Sequence, residues 1–246
     1  MPTITALLPT PKRPGRFALQ VDGKADATLS LEAIERLGLG VGSTMDESAE
    51  AAVRREAALL STYDRALDLL ALRARSAVEL RRLLLRKQEP RELVEVAIER
   101  LLRAGFLDDA SFARQFARSR ALGAGLSRRR LQQELALRGV ARDVASAALD
   151  EVFAEEPIDE VAGLERVARK KLALLGKLDA PTRRRRLSAF LVRRGYDFDD
   201  INRIVDSLVP REPEPLQTRE TKRATPRTKR KGAKPGQTAE STASST

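Results

Sequence analysis

The chain is predicted to be mainly α: an elongated, curved tandem array of three three-helix repeats, with a small N-terminal β-like extension and a disordered basic C-terminal tail. Three observations lead there. Apolar residues recur at helical spacing almost without a break from Asp46 to Leu208. Within it three segments, Leu80–Leu101, Leu131–Val152 and Leu187–Leu208, align with one another without gaps. After Val209 large apolar side chains nearly vanish, while nine Lys/Arg face four Glu. Such a composition buries too little surface to offset the entropy of ordering.

Residues 1–45 form the extension. Ile4–Leu8 and Phe17–Val21 are short apolar runs joined by a loop rich in Pro9, Pro11, Pro14 and Gly15. Asp22-Gly23 is a hairpin-type turn signal. Ser30 then caps a short helix, Leu31–Leu37, which Gly38 stops. This zone is too small to hold much core alone, so it is expected to pack on the helical zone that begins at Asp46. Gly38-Leu39-Gly40-Val41-Gly42-Ser43 lacks the lysine of a phosphate-binding loop and reads as a helix stop.

Residues 46–107 are expected to hold a linker helix and the first repeat, 108–156 the second and 157–209 the third; 210–246 are the tail. In the gapless register Leu84, Leu135 and Leu191 coincide, as do Val94, Ala145 and Ile201, and Ile98, Leu149 and Val205. The turns coincide as well: Lys87-Gln88-Glu89, Arg138-Gly139-Val140 and Arg194-Gly195-Tyr196. Gly139 and Gly195 suit a left-handed helix end. Gln88 lacks that freedom, so the first turn is expected to be strained or differently shaped. A further helix precedes each segment, near Ser61–Arg73, Ala110–Leu122 and Asp159–Leu175.

Composition narrows the function. The chain has no Cys and no His, which removes disulfides, thiol catalysis, the commonest zinc ligands and the usual general base near neutral pH. With no clustered catalytic carboxylates either, the expectation is a binding protein, not an enzyme, with no metal and no cofactor. No run of 18 apolar residues exists and the N-terminus lacks a leader pattern, so a cytoplasmic location is expected, with no membrane partner. The net charge of +11 points to an acidic partner.

Four motifs have physical sense. Ala66-Leu67-Asp68 through Glu79-Leu80 contains Ser76 and Glu79 at capping-box spacing. Gly105-Phe106-Leu107-Asp108-Asp109 is a glycine stop before an acidic helix start. Gly125-Leu126-Ser127-Arg128-Arg129-Arg130 leads to Arg138-Gly139-Val140, and Leu191-Val192-Arg193-Arg194-Gly195-Tyr196-Asp197 closes the set. In this order and spacing the chain resembles the RecX family over about Tyr63–Leu208. The basic tail lies outside that pattern, and Gln88 departs from its usual glycine.

The resemblance implies tandem three-helix repeats that bind in the groove of the RecA–DNA filament and usually restrain recombinase activity, and so regulate DNA repair, homologous recombination and the SOS response. The implied partners are the RecA filament and single- or double-stranded DNA through its phosphates, met by a monomer. A second class also fits the charge: a basic helical protein that coats or compacts duplex DNA independently of RecA. Candidate contacts are Arg73, Arg75, Arg81, Arg82, Arg86, Lys87, Arg128, Arg129, Arg130, Arg138, Arg184, Arg185, Arg186, Arg193 and Arg194. Arg128–Arg130 and Arg184–Arg186 fall at the same place in the register, where a stacked array makes them a ladder for phosphates or, equally, for acidic residues lining the recombinase groove. Phe112, Phe116, Phe190 and Phe198 are expected in cores, leaving no exposed aromatics among cations for stacking on bases.

Overall fold

A computed structural model describes residues 1–11, 13–156 and 158–210. The expected tail therefore lies outside the described residues, apart from Pro210. The N-terminal extension is a three-stranded antiparallel sheet, β1 (Ile4–Pro9), β2 (Arg16–Val21) and β3 (Lys24–Ser30), in sequence order. Asp22 and Gly23 both take positive φ in the tight β2–β3 turn, the twist that a two-residue hairpin needs. Ser30 caps helix α1 (Leu31–Arg36) by accepting from the Ala33 amide at 3.2 Å. The third strand is an addition to the two apolar runs read in the sequence; it alternates polar and apolar residues, but Leu29 is its only large apolar one, so it makes no apolar run.

Ile4, Leu19, Leu29, Ile34 and Met45 bury against Val53 of helix α2 (Glu47–Leu72). Arg13 and Arg16 reach across to Asp64, at 3.5 and 2.8 Å, and Arg13 also to Asp68 at 2.7 Å. The extension thus docks on the long helix C-terminal to it, as expected of a unit with so small a core. Helix α2 itself corrects the sequence reading. The expected linker helix and the helix near Ser61–Arg73 are one continuous helix of 26 residues. No glycine or proline interrupts it, and Thr62 turns its hydroxyl back to the Ala58 carbonyl at 3.1 Å instead of starting a new helix.

Helices α3 (Ala77–Arg86) and α4 (Arg91–Arg103) complete the first three-helix group. Helices α5 (Asp109–Ser119), α6 (Arg128–Leu137) and α7 (Arg142–Glu155) form the second; α8 (Glu160–Ala173), α9 (Ala180–Arg193) and α10 (Phe198–Leu208) form the third. Arg120–Ala124 continues α5 as a π-helical turn, ended by Gly125 at φ +57°. Each group has its own core, and register-equivalent residues build it: Leu80, Leu131 and Leu187 are fully buried, as are Leu84, Leu135 and Leu191.

Neighbouring groups meet through one repeated junction. The C-terminal turn of the second helix in one group docks on the N-terminus of the second helix in the group before. At the first junction the Ser76 hydroxyl donates to the Arg138 carbonyl, and the Ala77 amide donates to Asp109 at 2.8 Å. Gly139, at φ +81°, lies so near Val78 that a Cβ there would stand 2.4 Å from the valine Cβ. At the second junction the Ser127 amide donates to the Arg194 carbonyl at 3.1 Å, and the Arg128 amide to Glu160 at 2.7 Å. Here a Cβ on Gly195 would stand 2.6 Å from Arg130 Cβ and 2.7 Å from Ser127 Oγ. Both glycines thus answer to two demands, a left-handed backbone and a close approach. Gln88 occupies the same register position at φ +63° and is exposed. No earlier group presses on it, so a side chain fits there and only the backbone strain remains, as expected from its sequence.

Candidate binding surface

The junctions line up α3, α6 and α9 end to end as a spine, and charge is sorted around it. The three spine helices carry three, three and five arginines against one, one and no acids. The third helices of the groups, α4, α7 and α10, carry three, four and three acids against three, one and one arginines. Among the described helices, then, positive charge is concentrated on the row α3, α6 and α9.

Many of the arginines named from the sequence are held within the fold. Arg75 is 9% exposed at its side chain, donates to the Leu69 carbonyl at 3.1 Å and lies 3.6 Å from Glu79. Burial, reinforced by the neighbouring Arg73 charge, lowers its pKa. Arg73 pairs with the same Glu79. The expected capping box is therefore half made: Ser76 accepts from the Glu79 amide at 3.1 Å, but the Glu79 carboxylate turns to the two arginines. Arg81 forks Glu95, its Nε and Nη2 each donating at 2.9 Å. Arg130 and Arg138 share Glu134, at 3.3 and 3.4 Å, and Arg138 lies 4.3 Å over the Phe116 ring. Arg194 reaches the Gly125 carbonyl at 3.4 Å and lies 4.5 Å over Phe190, and burial lowers its pKa too.

The ladder of register-equivalent arginines is corrected in part. Arg128 pairs with Asp150, and Arg184 with Asp206 and the last carbonyls of α10. These equivalent pairs fasten the second helix of a group to the third, so they are not outward rungs. Nor does the ladder extend into the first group, where the same positions hold Ala77, Val78 and Glu79. Helix α9 also begins earlier than α6 in the register, because Asp179 caps it by accepting from Thr182 at 2.9 Å. Arg184–Arg186 therefore lie a turn inside the helix and not at its start. That capping amide also holds the Asp179 carboxyl below the usual range.

Exposed cations remain along the spine. Among the described residues Arg86, Lys87, Arg129, Arg186 and Arg193 are exposed with no acid in ion-pair range, and exposed Arg185 lies near enough to Asp179 to help lower its pKa. Arg82 is exposed and spans the first junction, donating to the Leu137 carbonyl at 3.1 Å. Arg129 borders a cleft of about 210 Å³ at the second junction, beside Glu160, Tyr196 and Asp197. Sequence reasoning missed Arg91 and Arg142, exposed first residues of α4 and α7. The gapless register, which makes these two equivalent, was the signal that would have found them.

Phe198 stands at that same position in the third group and is 66% exposed, not in a core as expected. The first position of this helix faces solvent in all three groups. Its neighbours are Asp197, Asp199 and Asp200, so it still offers no cation-flanked platform for a base. Phe112 and Phe116 do pack in the second core, and Phe190 against the third.

Fold and surface together define a tandem-repeat protein with a basic row of helices, and no described helix is long and apolar enough to cross a bilayer. Family models named for the second and third three-helix domains of RecX match residues 108–149 and 158–205. The regulatory protein RecX of Amycolatopsis mediterranei is 43% identical over 129 residues, which cover 52% of this chain and 72% of that one. The RecX of Pelodictyon phaeoclathratiforme is 39% identical over 144 residues, 58% of this chain and 86% of its own. A crystal structure of regulatory protein RecX shares the fold with a TM-score of 0.66 at 21% identity, over 84% of this chain and 100% of that one. The chain belongs to the RecX family of regulatory proteins.

Proposed function

We propose that this protein regulates the RecA recombinase by binding the RecA–DNA filament and restraining its activity, without chemistry of its own. The observation that carries the reading is the sorting of charge: arginines crowd the spine while the acids gather on the third helices. Arg82, Arg86, Lys87, Arg129, Arg185, Arg186 and Arg193 meet the filament, with Arg91 and Arg142 beside them. Protein contacts supply most of the affinity, and DNA phosphates add a salt-dependent share. The remaining candidates, Arg73, Arg75, Arg81, Arg128, Arg130, Arg138, Arg184 and Arg194, serve the surface by holding its helices in place. The protein acts as a cytoplasmic monomer.

The test is RecA-dependent ATP hydrolysis and strand exchange on single-stranded DNA, with and without the protein. Inhibition at stoichiometric amounts is expected, and reversing Arg129, Arg185, Arg186 and Arg193 to Glu should relieve it. No effect on either reaction, together with tight binding to bare duplex, would replace this reading with that of a duplex-coating protein.

A further inference from the structure

We propose that Leu137 is the apolar anchor of the spine's interface, seated in an acid-rimmed apolar pocket of a protein partner and not against nucleic acid. The inference rests on the reading that the spine contacts the filament, and it assigns the central contact to a protein surface. Leu137 ends α6, the middle helix of the spine, and is 71% exposed. Its carbonyl accepts the Arg82 guanidinium at 3.1 Å, and Arg86 lies one turn beyond Arg82. A large apolar side chain is therefore exposed on the residue that Arg82 contacts.

The repeat register isolates this leucine. Leu137 falls where the first and third groups have Arg86 and Arg193, so the central group alone replaces an exposed cation with a leucine. One position earlier, Leu85 and Val192 are also partly exposed. A phosphate gains nothing from a leucine, whereas an apolar pocket gains by removing it from water. Interfaces concentrate their affinity in a central buried side chain ringed by polar contacts. The exposed charge that meets this residue, Arg82, is cationic. The acids of α3 and α6, Glu79 and Glu134, are already held by Arg73 and Arg75 and by Arg130 and Arg138. Charge complementarity therefore calls for carboxylates around the receiving pocket.

The experiment titrates the full chain against RecA filaments assembled on a labelled single-stranded oligonucleotide, and against the same oligonucleotide bare, at several salt concentrations. Leu137→Ser and Leu137→Ala leave the charge unchanged and touch no core, so their thermal melts should match the parent. Both are expected to weaken filament binding by about tenfold or more, with the salt dependence and bare-DNA binding unaltered. The Arg82→Glu, Arg86→Glu double variant should instead flatten the salt dependence. Parent-like filament binding by Leu137→Ser, while the arginine variant is impaired, would overturn the anchor and leave the proposed function standing. An equal loss of Leu137→Ser affinity for bare oligonucleotide would also overturn it. If the parent chain itself ignores the filaments, the proposed function fails and the anchor falls with it.

Discussion

The two junctions solve one packing problem with different materials. In the first, a valine methyl surface closes over Gly139, and the serine hydroxyl of Ser76 both caps α3 and bonds across to Arg138. In the second, the glycine turn meets Ser127 and Arg130, and a tyrosine does the sealing: the Tyr196 hydroxyl, on a residue 6% exposed, donates to the Gly125 carbonyl at 3.1 Å. The position of Tyr196 is Val140 in the first junction. The docking rule, a left-handed turn against a serine-capped helix start, is shared, while the filling is free to vary. Backbone geometry is therefore the constant part of the joint and side-chain chemistry the adjustable part.

The largest expected effect breaks the shared part. Gly139→Ala meets both the left-handed penalty and the overlap with Val78, and should cost about 3 kcal/mol in denaturant unfolding. Val78→Ala should not rescue it, because the clash is already with the valine Cβ. A loss below about 1 kcal/mol would mean that the joint opens freely. Next comes Ser76→Ala, which forfeits a cap and a cross-junction bond, about 2 kcal/mol together. Ser127→Ala should cost only about 1 kcal/mol, the loss of a cap alone. Equal losses from the two serines would erase the distinction between the joints.

Tyr196→Phe should cost about 1 kcal/mol, and it carries a pH signature that the first junction lacks. Burial, helped by the Glu160 charge, raises the Tyr196 pKa. The folded chain thus keeps the phenol proton at a pH where the unfolded chain has lost it. This contribution is complete below the unfolded value of about 10 and disappears as pH rises through the folded one. Stability curves of parent and Tyr196→Phe should therefore converge at alkaline pH; parallel curves would count against a buried phenol. The smallest effect is at the uncovered first turn, where Gln88→Gly should relieve left-handed strain and add about 0.5 kcal/mol.

Much of this was legible in the sequence, because each group repeats what its own core needs. Leu84, Leu135 and Leu191 announce a shared helix face, and Gly139 and Gly195 announce a shared turn. Even Gln88 was readable as an exception, although its reason, the lack of an earlier group, needed the fold. The division of the arginines was not legible. Arg128 and Arg129 are neighbours in the chain, yet one meets Asp150 from the next helix and the other meets none. Only the packing of that next helix decides between them. The extra turn of α9 was hidden for a related reason: Asp179 competes with Arg183, the register equivalent of Ser127, for the helix start, and the aspartate is the better cap.

The end-to-end order of the spine also has an electrical consequence. Each junction brings the carbonyl end of one helix against the amide end of another, the partial negative pole of α6 to the positive pole of α3, and that of α9 to α6. At each junction the facing poles partly offset each other, which leaves one uncompensated pole at each end of the row. Its positive pole lies at the start of α9, where the Asp179 carboxylate stands. Its negative pole lies at the end of α3, where Arg86 and Lys87 stand. The polarity of the whole row is thus neutralised at its tips, and what it presents between them is the charge of the arginines with no acid in range, Arg129 and Arg186 among them.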